Sequence, residues 1–171
     1  MKIADLLLAD FDHEVAGTRR ILERVPDEHS AYKPHEKSFE FGKLATHIAT
    51  LFTFGQTILT TAGMDMADSN HKWPDNTFRG RDALLATFTS NATTCRAALA
   101  SLSDDQLQEP WRFAFGEHVL GNLPRFAAYR QYFFNHFIHH RGQLSVYLRL
   151  NDVAVPGLYG PSADEPFNPG S

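Results

Sequence analysis

Apolar residues recur every three or four positions in four long segments of the chain, which is the spacing that places them on one face of an α-helix. The pattern predicts helices over about residues 3–25, 41–62, 81–102 and 124–150. Pro26 follows the first segment and Gly63 the second, and both residue types commonly lie where helices end. Ser103 and Gln106 have the spacing of a capping box and predict one further short turn of helix. Four amphipathic helices bury their apolar faces most economically against one another, so the predicted fold is all-α, a four-helix bundle with long connections.

The connections between these helices differ in character. Residues 64–80 form a loop rich in Asp, Asn and Pro, whereas residues 111–119 alternate only loosely between apolar and polar types. We expect at most a short extended segment in 111–119 and no sheet. Asn122 is the predicted N-cap of the fourth helix, with Pro124 in its first turn. A Pro- and Gly-rich tail, 151–171, follows the last helix.

Length and composition exclude several classes of protein. A chain with 43% hydrophobic and 21% charged residues suits one folded domain, residues 1–171, and excludes disorder of the whole chain. A net charge of −4 argues against nucleic-acid binding, which needs a basic surface. Cys95 is the only cysteine, which excludes an internal disulfide, a Cys-based zinc finger and an iron–sulfur cluster bound by one chain. No apolar run approaches the roughly 20 residues of a membrane helix, and no signal peptide is visible, so we expect a cytoplasmic protein that does not bind membranes.

Two of the nine histidines lie one turn apart on the predicted inner face of the fourth helix. His136 and His140 share that face with Phe133, Phe137 and Leu144. A buried imidazole without a partner costs roughly 1–3 kcal/mol, so both rings need hydrogen bonds or a metal ion. A pair of histidines at positions i and i+4 can chelate a divalent ion without distorting the helix.

His47 is the best candidate for a third metal ligand. It lies at the edge of the apolar face of the second helix, and a bundle can bring it to the His136–His140 pair. Three imidazoles with open positions are typical of a catalytic site rather than a closed structural one. The alternative is that the rings are core residues whose hydrogen bonds are satisfied within the protein, and spacing alone does not decide between the two interpretations. The remaining histidines are expected on the surface or in structural roles: His13, His29, His35, His71, His118 and His139.

Other conspicuous residues are interpreted as structural. Arg141, Gln143 and Arg149 lie off the apolar face, and we expect them to tie the fourth helix to loops or to the tail rather than to contact an anionic substrate. Tyr159 and Asp164 are expected to fold back over a helix, with pocket lining as the alternative.

Two further expectations concern the core. Cys95 is expected to be a small buried hydrophobe rather than a ligand or nucleophile. Five phenylalanines are expected in the core, with a wall around the metal as the alternative: Phe52, Phe54, Phe88, Phe133 and Phe137.

Several runs of the chain resemble the DinB (damage-inducible) family. They are residues 42–48, 136–144, 147–149 and 155–164, and the most specific are His-His-Arg-Gly-Gln-Leu and the Tyr-Gly-Pro of the tail. The resemblance covers nearly the whole chain. It implies a four-helix bundle, a homodimer, and one divalent metal ion held by His47, His136 and His140. Some relatives are metal-dependent thiol transferases or isomerases that use low-molecular-weight thiols, and many have no assigned reaction.

These observations predict a metal-dependent enzyme of the thiol S-transferase or hydrolase type. The ion would serve as a Lewis acid, with zinc or nickel favoured and iron, copper or manganese as alternatives. The expected substrates are a low-molecular-weight thiol and a small electrophile, and no catalytic residue is assigned. The alternative is a non-catalytic metal-binding protein of a stress response or an interaction module. A ferritin-like di-iron centre is excluded because Glu-x-x-His occurs nowhere in the chain.

Overall fold

The computed structural model describes residues 2–167, and four long helices form the predicted bundle. The first three are α1 (Ile3–Leu22), α2 (Phe41–Thr60) and α3 (Arg81–Ala100), and the fourth runs from Arg125 to Leu150. Both α1 and α2 pack against α3 and against the fourth helix, so α1 and α2 lie diagonally across the bundle. The predicted all-α bundle is therefore confirmed, with the first three helices ending two or three residues earlier than expected.

The fourth helix is not a uniform α-helix. It consists of α5 (Arg125–Ala128), a π-helical segment (Tyr129–Phe134) and α6 (Asn135–Leu150). The backbone N–H of Asn135 donates to the carbonyl of Arg130, five residues earlier. Such π segments accommodate one extra residue within an otherwise regular helix and occur often at functional sites.

A small sheet lies beside the bundle, which corrects the expectation that residues 111–119 form none. Strand β1 (Gly63–Asp65) pairs in parallel with β2 (Pro110–Phe115), which pairs antiparallel with β3 (His118–Pro124). The apolar pattern did not indicate β3 because Val119 and Leu120, adjacent in the chain, are both exposed.

Two predicted helix ends are wrong because the residues concerned lie in this sheet. Asn122 lies in β3 rather than at a helix cap, and Pro124 itself is the N-cap of α5. Gly63 lies in β1 instead of closing α2, and a side chain there would meet the carbonyl oxygen of Arg112 at 2.5 Å.

A short helix and a buried arginine join the sheet end of the molecule to the bundle. The predicted capping box is confirmed: Ser103 and Gln106 bond each other's backbone at the start of α4 (Asp104–Gln108). Arg125, at the start of the fourth helix, donates to the carbonyls of Ile58 and Thr61. This guanidinium satisfies carbonyls at the end of α2 that have no partner within the helix.

Aromatic rings fill the centre of the bundle. The fully buried ring of Phe52 on α2 contacts one ring from α1 and one from α3, Phe11 and Phe88, with centroids 5.8 and 5.3 Å away. It also contacts Phe133 and Phe137 on the fourth helix, at 5.2 and 5.1 Å. Cys95 is buried in the same core, as expected. Within residues 2–167, no helix is long and apolar enough to cross a membrane.

The tail folds back onto the helices, as predicted. Arg149 pairs with Asp164, and Arg20 on α1 pairs with Glu165. The buried guanidinium of Arg141 lies 2.6 Å from the carboxylate of Glu14 on α1, and Tyr159 bonds both. Residues 168–171, the end of the predicted tail, and the first residue lie outside the described part of the chain.

Candidate metal centre

The structure brings the three predicted ligands together. His47 on α2 faces His136 and His140 on α6, and the ligand nitrogens of all three lie within 4.8 Å of one another. The Nε2 atoms of His136 and His140 are 2.8 Å apart. Two nitrogens bound at about 2.0–2.1 Å to a tetrahedral zinc ion would be separated by about 3.3 Å, so a small movement of either ring accommodates an ion.

The ring of His140 is held by a hydrogen bond on the side away from the cluster. The Nδ1 of His140 lies 2.8 Å from Oε1 of Gln143, which can only accept, so Nδ1 carries the proton and Nε2 directs its lone pair toward Nε2 of His136. Such bonds fix the orientation of metal-binding imidazoles. The backbone carbonyl of Tyr132 lies near the ring of His136 and raises its pKa, against the larger lowering by burial. The expectation that Gln143 ties the helix to a loop is wrong, because its side chain serves His140 instead.

Close packing between α2 and the π-helical segment brings the two sides of the cluster within reach. A Cβ at Gly55 would lie 2.7 Å from the ring of Phe133 in that segment, so only glycine permits this approach. Tyr132, whose carbonyl lies near the ring of His136, belongs to the same π-helical segment. The irregular turn therefore supports the site directly.

The environment keeps the three rings neutral at pH 7. Burial, followed by the neighbouring His140 and His136, lowers the pKa of His47 to about 4. Burial also lowers the pKa of His136 and of His140. A metal ion binds only the unprotonated imidazole, so a cluster of neutral rings is prepared for one.

A cavity of about 500 Å³ adjoins His47 and His136. It lies between α2, the π-helical segment, the sheet and the loop that follows β1, and its walls include Phe54, Trp73 and Phe113. Of the five phenylalanines expected in the core, Phe54 lines this space, and the other four are buried in the core: Phe52, Phe88, Phe133 and Phe137.

A second, shallower recess of about 450 Å³ lies on the other side of the cluster, at His140. Lys37, Gln143 and Phe39 are among its lining residues. The three histidines are only partly buried between these two spaces. An ion held there would be reachable by small molecules from the groove between α2 and α6.

The remaining histidines and acids do not join the cluster. Five histidines are exposed, as expected: His13, His29, His35, His118 and His139. His71 is the exception, because it lies on the cavity wall with its ring 4.6 Å from that of Trp73. The sequence placed His71 in a polar loop, and no periodic signal there could have indicated a wall. Asp10 and Asp12 pair with arginines on the surface.

Comparisons with known proteins identify the family of this chain. A family model described as the DinB family matches residues 1–169. The chain is 26% identical to YrdA of Bacillus subtilis (strain 168) over 174 residues, covering 94% of this chain and 90% of YrdA. It is 28% identical to YjoA of the same organism over 134 residues, covering 77% and 80%. Both relatives are described as uncharacterized proteins.

Two solved structures share the fold. The DinB-like protein YjoA of Bacillus subtilis superposes with a TM-score of 0.68 at 21% identity, covering 95% of this chain and 99% of that one. A DinB-like protein of Bacillus cereus ATCC 10987 superposes with a TM-score of 0.64 at 20% identity, covering 89% and 95%. At these identities the likeness establishes the helical bundle and nothing about the reaction.

Proposed function

This chain belongs to the DinB family, and we propose that it is an enzyme whose activity depends on one divalent metal ion held by His47, His136 and His140. The observation that supports this most strongly is the convergence of three neutral imidazoles, from two helices, within 4.8 Å. Zinc and nickel are the favoured ions, and iron, copper and manganese are the alternatives. Three protein ligands leave at least one position for water or substrate.

In the proposed reaction, the sulfur of a thiol attacks a carbon of a small electrophile and forms a C–S bond. A C–Cl bond breaks with release of chloride and of the thiol proton to solvent, or an epoxide C–O bond breaks and its oxygen takes up the proton. Hydrolysis is the second candidate of the same class. A bound divalent ion supplies a Lewis acid that favours the deprotonated form of a thiol or of water near neutral pH. Among the described residues, neither the cavity nor the recess is lined by Asp or Glu. The chain therefore offers no carboxylate as a general base there, and its own residues bind and orient the reactants.

The two spaces beside the cluster suit different reactants. Lys37 and Gln143 give the recess at His140 polar groups for the ionised parts of a low-molecular-weight thiol. The larger cavity at His47 and His136 suits the electrophile. The three histidines lie between the cavity and the recess, so a reactant in each space would reach an ion held by them.

Metal content and turnover test this proposal directly. Protein purified without a metal-affinity tag should contain one divalent ion per chain, and His136→Ala/His140→Ala should contain none. His139→Ala is the matched control, because His139 is exposed on the same helix and should leave metal content unchanged. Metal-loaded protein should turn over a thiol with a chlorinated or epoxide electrophile, and a chelator or His140→Ala should abolish this turnover.

Each result decides between the two candidate roles. Full metal content in the double variant would show that His136 and His140 are not the metal ligands. Metal binding without any turnover would instead support the non-catalytic alternative, a metal-binding stress-response or interaction protein.

We also propose that the chain forms a homodimer. Large apolar side chains are exposed on two helices: Leu6 on α1, and Val146 and Leu150 on α6. Val146 and Leu150 lie one turn apart on the same face of α6, whereas Leu6 lies toward the other end of the bundle, since Asp10 pairs with Arg130 and Glu14 with Arg141. An exposed apolar pair such as Val146 and Leu150 is a candidate for an interface between subunits. Light scattering after gel filtration should give a dimer mass, and Leu150→Lys should shift it toward the monomer. A cytoplasmic location remains a prediction.

A further inference from the structure

The cavity beside His47 and His136 has a distinctive chemical character that indicates what it binds. One face of α2 forms its floor, through residues that include Thr50, Thr53 and Thr57. These positions recur at helical spacing, so their side chains follow one another along the cavity toward the sheet. The floor begins at His47 and reaches about 15 Å along the helix to Thr57.

The three threonines present methyl groups rather than free hydroxyl donors. Thr57 donates its hydroxyl proton to the carbonyl of Thr53, and Thr53 donates to the carbonyl of Thr50. Thr50 bonds the carbonyl of His47 and the side chain of Asn76 in the loop above. Since each hydroxyl proton is already used, a floor that looks polar in the sequence is largely apolar toward the cavity.

The walls and the mouth of the cavity combine aromatic and sulfur-bearing side chains with three polar ones, His71, Asn76 and Gln131. Met64, Phe113 and Tyr132 contribute walls, and the ring of Trp73 is 59% exposed at the rim. Lys72 is the single charged residue in the lining, and it is exposed. A predominantly apolar lining with a large ring at its rim and without a carboxylate is typical of a small-molecule site.

We propose that this cavity binds an uncharged, apolar group of the size of one or two fused rings, with the reacting atom of the substrate directed at the three histidines. This assignment rests on the proposed function, because it takes the cavity as the site of the electrophile. A volume of about 500 Å³ accommodates such a group. A charged group of the same size would lose its hydration against methyl groups and rings, and the one charged side chain of the lining, Lys72, is exposed to solvent and compensates an anion only weakly.

The wall formed by Tyr132 is held in place. A Cβ at Gly121 on β3 would lie 2.0 Å from the hydroxyl oxygen of Tyr132, so the phenol packs directly on the strand backbone. The ring also contacts that of Phe113, with centroids 5.1 Å apart. Position 121 therefore determines how far the ring projects, and Tyr132 is a specificity-determining residue for the size of the bound group.

Two fluorescent probes with the same skeleton test the assignment. N-phenyl-1-naphthylamine is uncharged, and 8-anilinonaphthalene-1-sulfonate adds one sulfonate to it. We expect saturable binding of the neutral probe by the metal-free and the metal-loaded protein, with quenching of Trp73. The sulfonate should bind at least about tenfold more weakly, which corresponds to about 1.4 kcal/mol.

Matched substitutions locate the binding. Thr57→Phe fills the end of the cavity remote from the histidines and should weaken binding of the neutral probe at least about tenfold. Thr60→Phe makes the same change at an exposed position of the same helix and should leave binding unchanged. Trp73→Ala, on the exposed rim, should also weaken binding, and it carries the test if Thr57→Phe does not fold by circular dichroism.

The outcomes separate this inference from the proposed function. Absence of saturable binding, equal weakening by Thr60→Phe, or tighter binding of the sulfonate would overturn the assignment of the cavity. Metal content measured on the same samples tests the histidine cluster independently. Protein that retains metal and binds no neutral probe would overturn the assignment of the cavity and leave the proposed metal site intact. Protein that binds the probe and retains no metal would support the apolar cavity and overturn the metal-dependent enzyme.

Discussion

The side-chain oxygen of Gln143 accepts a hydrogen bond from Nδ1 of His140, one turn away on the same helix, and so directs Nε2 of that ring at His136 and His47. We expect Gln143→Leu to weaken metal binding by about 10- to 100-fold, because the ring loses its orienting acceptor. Competition with a chromogenic chelator measures this. Gln143→Glu keeps an acceptor and should retain most of the affinity. Unchanged affinity in the leucine variant would show that Gln143 does not orient the ligand.

The metal-free protein should lose stability as the pH falls from about 6.5 toward 4. Burial holds the pKa of His47 at about 4 in the folded chain, whereas an unfolded imidazole takes up its proton near 6.5. The unfolded state therefore binds more protons between pH 6.5 and 4. As the pH is lowered through this range, the free energy of unfolding decreases. The contribution is fully present above pH 6.5.

Urea denaturation at several pH values between 7.5 and 4 measures this dependence. His47→Asn removes one of the titrating rings and should flatten the curve. A slope identical to that of the unchanged protein would contradict the role of His47.

Cys95 should be inert toward thiol reagents in the folded protein. Burial raises the pKa of its thiol to about 12, so almost none of it is thiolate at pH 8. Titration with a chromogenic disulfide should give no rapid reaction until the chain is unfolded, and then one thiol per chain. Rapid labelling of the native protein would place Cys95 in an accessible site and reopen a nucleophilic role.

The buried pair of Glu14 and Arg141 should matter far more to stability than an exposed pair between the same two helices. The side chains of Glu14 and Arg141 are 11% and 2% exposed. Glu14→Gln leaves a buried guanidinium without its counter-charge and should cost about 3–5 kcal/mol of unfolding free energy. Asp10→Asn breaks the exposed pair with Arg130 and should cost less than about 1 kcal/mol. Equal effects in chemical denaturation would contradict this difference.

Gly121→Ala should shrink the cavity without touching the histidines. The added methyl group must displace the hydroxyl of Tyr132, and the displaced ring moves toward the bound group. We expect weaker binding of the neutral naphthylamine probe and unchanged metal content. Gly142→Ala is the control, because a Cβ there meets nothing within 4 Å. Unaltered probe binding in Gly121→Ala would show that this wall does not limit the cavity.

The helices and the three histidines could be predicted from the sequence because each depends on a strong local signal. Apolar residues at helical spacing define the bundle, and imidazoles at positions 136 and 140 share one face by geometry alone. The choice of His47 followed from its place beside the apolar face of a second helix. The resemblance to a known family supported the same set.

The parts that could not be predicted depend on contacts distant in the chain. Strand β3 exposes Val119 and Leu120, so its pairing is determined by β2 and not by its own apolar pattern. The π-helical segment differs from an α-helix by one inserted residue, and no residue type in the segment distinguishes that insertion from ordinary helix. The role of His71 depends on how the loop after β1 folds over α2, and a polar loop sequence does not encode that position locally.

The guanidinium of Arg125 joins the two helices that carry the histidines, far from the histidines themselves. Ile58, whose carbonyl it binds, lies about three helical turns from His47, and Arg125 lies about the same distance from His136. The gap between the two helices is consequently set at a remote anchor and by the ring against Gly55 before any ion arrives. Little of the binding energy of an incoming ion is then consumed in assembling its ligands, and the chain can hold an ion with exchangeable positions without a fourth side chain.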